Sequence, residues 1–172
     1  MQWYKPALCA SLLLILGSVP SVAQKVDLTV GWSFTHADQT NGFADLNGWY
    51  GSASYNAMPR LGLTVEHESY WGDFKGDSMN SHVWLGGVTW KLADSSKKVV
   101  PFLQPLVGDT RNSLSGSVQN NFTFQLAGGV DIKLKGPVSL DLVPAEYTLT
   151  RQSGVSANSY SAAVGLQFSF GK

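Results

Sequence analysis

The sequence predicts an all-β chain, an eight-stranded antiparallel up-and-down transmembrane β-barrel, and three observations predict it. Charged residues make up 14% of the 172 positions, against about 25% in ordinary soluble domains, so part of the surface is built for something other than water. After the first two dozen residues no apolar run approaches the roughly 20 residues of a membrane helix, which leaves the closed barrel as the other architecture that pairs every backbone group in lipid. Apolar residues also recur with a period of two over long segments.

The clearest segment runs from Asn120 to Lys135. Phe122, Phe124, Leu126, Val130, Ile132 and Leu134 alternate there with Asn121, Thr123, Gln125, Asp131, Lys133 and Lys135. It exceeds the usual soluble strand and meets the roughly nine to eleven residues that a tilted membrane strand needs. The same rhythm appears in Val26, Leu28, Val30, Trp32 and Phe34, in Trp49, Ala53, Tyr55 and Ala57, and in Leu61, Leu63 and Val65. Further strands are expected near Ser81 to Leu92, Val99 to Val107, Val138 to Thr150 and Asn158 to Phe170, which completes the eight.

The connections alternate in length, as in outer-membrane barrels. Met58-Pro59-Arg60, Asp94 to Lys98 and Lys135-Gly136-Pro137 are short. Thr35 to Asp45, Tyr70 to Asn80, Gly108 to Gln119 and Arg151 to Ala157 are long and rich in Gly, Ser, Asn and Asp, so they are expected to be polar loops at one end.

The N-terminal residues predict export. Lys5 precedes the apolar run Ala7 to Val19, and Ser21-Val22-Ala23 is a small-x-small cleavage site. The expected organisation is a signal peptide over 1–23, cleaved after Ala23, and a barrel domain over 24–172. The only cysteine, Cys9, lies in the signal, so neither a disulfide, nor a thiolate metal site, nor a cysteine nucleophile is expected in the mature chain. Its balanced charge excludes the basic surface of a nucleic-acid binder.

Alternation alone does not say which face points inward, and a soluble lipocalin-like barrel has the same period with its apolar residues inside. The polar face here is mostly Ser, Thr, Asn, Gln and Gly, which suits a narrow lumen better than a solvated exterior. Trp32, Phe34, Trp49, Tyr70, Trp71, Trp90 and Phe102 lie toward strand ends, as expected of interfacial belts. The apolar face is therefore read as outward. The lumen is then expected to hold Glu66, Glu68, Gln125, Asp131, Lys133 and Glu146, with Arg111 and Arg151 near the outer rim, in a salt-bridged plug. The fourth strand offers two competing faces, Val83 with Leu85 and Trp84 with Val88 and Trp90. In the seventh, Asp141 and Glu146 share a face only if a bulge intervenes near Pro144.

The runs "VVPFLQPLVGD", "NFTFQLAGGVDIKLKGPVSL", "PAEYTLTR" and "NSYSAAVGLQFSFG" resemble the eight-stranded barrels of the porin-like, OmpA-type outer-membrane superfamily, without that group's periplasmic peptidoglycan-binding domain. The resemblance implies residence in the bacterial outer membrane. Gly165, Phe168 and Phe170 resemble the superfamily's C-terminal assembly signal, which implies recognition by the barrel insertion machinery. Ala163 and the trailing Gly171-Lys172 depart from that pattern.

Small barrels of this class include lipid-A-modifying enzymes, so His36, His67 and His82 bear on catalysis. His67 and Ser69 share a strand face and resemble the His-x-Ser of outer-membrane lipid A deacylases, but Tyr70-Trp71 stands where that family has Asn-Ala. Glu66 and Glu68 point to the opposite face, where they cannot orient the imidazole. No catalytic residue is assigned. Asp73 and Asp77 offer oxygen ligands in an acidic loop without the spacing of a calcium loop, and Asn121-Phe122-Thr123 fits a glycosylation sequon inside a strand. Neither cofactor nor metal is expected. The function expected is structural or interactive, with outer-membrane lipids, lipopolysaccharide and surface partners as its contacts. The alternatives are a narrow porin, a lipid A-modifying enzyme and a soluble lipocalin-like carrier.

Overall fold

A computed structural model of the chain describes residues 25–39, 42–74, 77–114, 117–152 and 155–171. The expected signal peptide and its cleavage point at Ala23 lie outside these residues. The strands are β1 (Lys25–Gln39), β2 (Gly42–Met58), β3 (Leu61–Phe74), β4 (Asp77–Lys91), β5 (Val99–Leu114), β6 (Ser117–Lys133), β7 (Val138–Gln152) and β8 (Val155–Phe170). Each pairs antiparallel with its neighbours in sequence, and β8 closes on β1. Closure removes the unpaired edges that a sheet of this size would otherwise present.

The apolar phase points away from the axis. Val30 is 54% exposed, Val65 57% and Trp84 60%, while the intervening Ser33, Thr64 and Glu66 are buried inside. A soluble barrel would reverse this, so the lipocalin-like alternative does not fit. Val65 lies well inside β3, so Val65→Arg is expected to destabilise the barrel by about 2–4 kcal/mol. Urea unfolding in lipid vesicles measures it, and an unchanged midpoint would mean that this face does not meet hydrocarbon.

Strand length corrects the sequence reading. The four connections expected as long loops are strand for most of their length, and pairing persists to Gln39↔Gly42, Phe74↔Asp77, Leu114↔Ser117 and Gln152↔Val155. Gly, Ser, Asn and Asp were read there as turn formers, but pairing with the other strand of the same hairpin outweighs local turn preference. Asp73 and Asp77 accordingly sit on β3 and β4 rather than in a loop. At 14–17 residues each, the strands surpass the roughly nine to eleven needed to span. About a third of each strand is therefore in excess of a spanning length.

Two further expectations are resolved. In β4, Val83 and Leu85 are buried inside, and Trp84 and Trp90 face out. In β7 the register shifts between Val143 and Glu146, so Pro144 and Ala145 form the bulge that lets Asp141 and Glu146 both point inward. The aromatic belts need one correction. Trp32, Phe34, Trp49, Trp71 and Trp90 are exposed on the wall, but Tyr70 and Phe102 are buried in the lumen.

Candidate functional site

The lumen is stratified. At the end that carries Lys25 and Phe170, Lys91 Nζ donates to Asp27 Oδ2 at 2.8 Å and to Asn56 Oδ1 at 3.0 Å, and Asn56 Nδ2 donates to Asp27 Oδ2 at 2.8 Å. Gln167 reaches Asp131 at 3.4 Å in the same layer. Lys133 is exposed beside this layer, at the lip of an open vestibule of about 560 Å³.

Above it, Tyr50 lies across the inside of the wall. Tyr50, Gly31, Gly165 and Asp141 occupy one register row over β2, β1, β8 and β7. A Cβ on Gly31 would fall 2.3 Å from the Tyr50 ring, and one on Gly165 would fall 2.5 Å from its hydroxyl. Two consecutive glycines in the row thus clear a channel through which the phenol reaches Asp141 Oδ1 at 2.7 Å. Tyr70 repeats the device: it lies over Gly48, where a Cβ would meet its ring at 2.5 Å, and its hydroxyl is 3.3 Å from Ser33 Oγ. Strand glycine here marks close approach of an aromatic from the neighbouring strand.

The middle layer gathers carboxylates. Gln104 Nε2 donates to Glu66 Oε2 at 3.3 Å, and Gln125 Nε2 donates to Glu68 Oε1 at 2.9 Å. Glu146 enters the same space from β7. Thr64 lies within hydrogen-bond distance of both Ser54 (2.7 Å) and Thr89 (2.6 Å). The enclosed space left over is about 20 Å³, roughly what one water occupies.

Toward the hairpin end an apolar cluster forms on the inner faces of β1 to β5, beside the buried polar Thr35, Ser81, Thr110, Asn121, Thr123 and Ser161. Ala37, Ala44, Leu46, Met79, Val83, Leu85 and Leu106 pack with Tyr70 into one buried cluster, and Leu106 is 1% exposed. Phe102, Ala127 and Val143 form a second cluster.

Of the residues that the sequence pointed into the lumen, Glu66, Glu68, Gln125, Asp131 and Glu146 are buried there. Arg111 and Arg151 are not: both are exposed on the outer wall, because their neighbours Thr110 and Thr150 hold the inward phase next to them. The interior cation is instead Lys91, which the sequence reading missed together with Asp27 and Tyr50. The sequon also lies inside, where Asn121 and Thr123 are buried. Gly165 faces the lumen, and Phe170 is exposed on the wall in register with Val26.

On the outer wall Ser69 meets a histidine other than the expected one. Its Oγ is 3.2 Å from His82 Nδ1 on β4. His67 donates from Nδ1 to the Val83 carbonyl at 2.9 Å and stacks on Trp84 at 4.2 Å. Trp49 stands edge-on to it at 5.3 Å, which explains how a polar ring is accommodated on this face. His36 lies farther out on β1, 2.7 Å from Asp45.

No protein-family profile and no curated protein matches the sequence. The three-dimensional fold is similar to that of neisserial surface protein A, NspA, with 18% identity over 84% of this chain and 97% of that one and a TM-score of 0.73. It is also similar to the outer-membrane protein OprG of Pseudomonas aeruginosa, at 8% identity over 86% and 96% with a TM-score of 0.61. The chain has the fold of the eight-stranded outer-membrane barrels. The outer-membrane enzyme PagL shares it as well, at 14% identity over 82% and 97% with a TM-score of 0.55. At these identities the likeness is one of architecture, so activity has to be argued from the chain's own residues.

Proposed function

We propose that this protein resides in the bacterial outer membrane as a closed, non-conducting barrel whose role is structural and interactive, carried by the wall and by four hairpins held beyond the lipid. The supporting observation is the apolar cluster from Ala37 to Leu106 across the hairpin half of the lumen. A channel needs a continuous wet path. Here buried leucine, methionine and valine pack beside the buried, mutually hydrogen-bonded Thr110 and Thr123, and the layer beneath leaves room for about one water.

Each contact has its surface. The exposed aromatic and aliphatic wall meets membrane lipid and lipopolysaccharide, Gly165, Phe168 and Phe170 serve recognition by the insertion machinery, and the paired hairpins present stiff ribbons to surface partners. Reconstituted protein is expected to add neither sugar flux in liposome swelling nor stable steps in planar-bilayer recordings. Large, persistent single-channel currents would overturn the closed-lumen reading and restore the narrow porin. Cell fractionation with an unboiled gel tests residence, since a folded outer-membrane barrel migrates apart from its boiled form.

The Ser69–His82 contact supports a second reading, an acyl hydrolase acting on lipid at the wall. A serine nucleophile requires a base that is itself oriented by a third group. Among the described residues no hydrogen bond from His82 to a carboxylate is present, and Ser69 is largely covered. Mass spectrometry of lipid A from cells with and without the gene decides it: altered acylation that Ser69→Ala abolishes would establish the enzyme.

A further inference from the structure

Buried charge in the lumen does not balance. Among the described residues six carboxylates are buried inside, those of Asp27, Glu66, Glu68, Asp131, Asp141 and Glu146, and the one buried cation, Lys91, is engaged by Asp27. Carboxylates removed from water need a counter-charge or a full set of donors.

Glu66, Glu68 and Glu146 concentrate this imbalance. Each offers an oxygen, and the three lie within 4.8 Å of one another, no farther apart than two oxygens on opposite sides of one ion bound at about 2.4 Å. The surroundings point the same way. Gln125 is wholly buried and gives its Nε2 to Glu68, which leaves its Oε1 without a partner beside the cluster, and Glu146 Oε1 has none either. Two buried acceptors without donors, one on Glu146 itself and the other on the side chain that donates to Glu68, together with an enclosed space of about 20 Å³ lined by all three carboxylates, call for a positive centre.

We propose that Glu66, Glu68 and Glu146, with the Gln125 carboxamide oxygen, bind one divalent cation of the calcium class inside the barrel. An all-oxygen set with no imidazole or thiolate suits a hard ion. The ligands come from β3, β6 and β7, and β3 and β7 are separated by β4 to β6 on one side and by β8, β1 and β2 on the other, so the ion ties opposite walls together and is captured as the barrel closes. No linear motif announces it, because Glu66 and Glu146 are brought together by closure alone.

The test refolds the mature chain into detergent micelles with either Ca²⁺ or EDTA, followed by gel filtration, elemental analysis and thermal melting. Wild type is expected to retain about one Ca²⁺ per chain and to melt about 5–10 °C higher with Ca²⁺ than with EDTA. Glu146→Gln is expected to lose the ion and the shift and, because it relieves like-charge crowding, to melt above wild type in EDTA. That second readout keeps the site testable if other variants fold poorly. Asp109→Asn, on the outer wall, is expected to keep the ion. Wild type that retains no metal and melts identically in both buffers would overturn the proposal, as would Ca²⁺ retained equally by Glu146→Gln.

Discussion

Gly165→Ala is expected to destabilise the folded barrel by about 1–3 kcal/mol, with Gly165→Val worse, because the new side chain enters space held by Tyr50. Its Cβ would stand 2.5 Å from the Tyr50 hydroxyl and 2.8 Å from the Val30 carbonyl oxygen. The ring can yield only by giving up Asp141, whose carboxylate would then be left short of a donor in the lumen. Gly31→Ala meets the same ring at 2.3 Å and the Val164 carbonyl oxygen at 2.4 Å, and is expected to cost at least as much. Gel-shift measurement of unfolding by urea in micelles checks both. Purified components contain no insertion machinery, so a defect there belongs to packing, and a defect confined to cells belongs to the C-terminal signal. Tyr50→Leu should recover part of the loss in Gly165→Ala. No recovery would show that the tyrosine is not what the glycine accommodates.

Lys91→Met is expected to cost about 3–5 kcal/mol, since it strands Asp27 without its buried partner. The pair is close, at 2.8 Å, and its ends are 9% and 5% exposed, so water cannot readily replace the ammonium. Asp27→Asn on the Lys91→Met background should restore most of the stability, because it removes the orphaned charge and keeps the Asn56 contact geometry. A double-mutant cycle from unfolding midpoints measures the coupling. If Lys91→Met alone unfolds at the wild-type midpoint, the layer is wet and the pair is incidental.

Much of the architecture was legible because the two faces of most strands differ in chemistry. In β6 the contrast between Phe122 or Leu126 and Thr123 or Gln125 fixes phase and face together. β4 lacked that contrast for a physical reason. Val83 and Leu85 belong to the apolar roof of the lumen, so both faces of the strand are hydrophobic and period alone cannot rank them. Tyr50 carried a usable signal: it shares phase with Ser52, Ser54 and Asn56, and an aromatic on the polar phase has to find room inside. Gly31 and Gly165, set in otherwise well-formed strand sequence, are the traces of that room. Lys91 was hidden because its partner is 64 positions away in the chain and only closure of the barrel brings the two together. The hairpin extensions were obscured by composition, as Ser, Asn and Asp signal turns in isolation yet remain strand when paired along a hairpin.

Unbroken pairing out to Gln39 and Gly42, and its counterparts in the other three ribbons, sets a rule for grafting. An epitope spliced between those last partners leaves every residue below it on its present side. One amino acid added lower down would turn Ala44 and Leu46 toward the outside and draw their polar neighbours in. Length can therefore be gained at the crest in any amount, but along the shaft an odd residue keeps the faces in place only where a bulge absorbs it, as at Pro144 and Ala145.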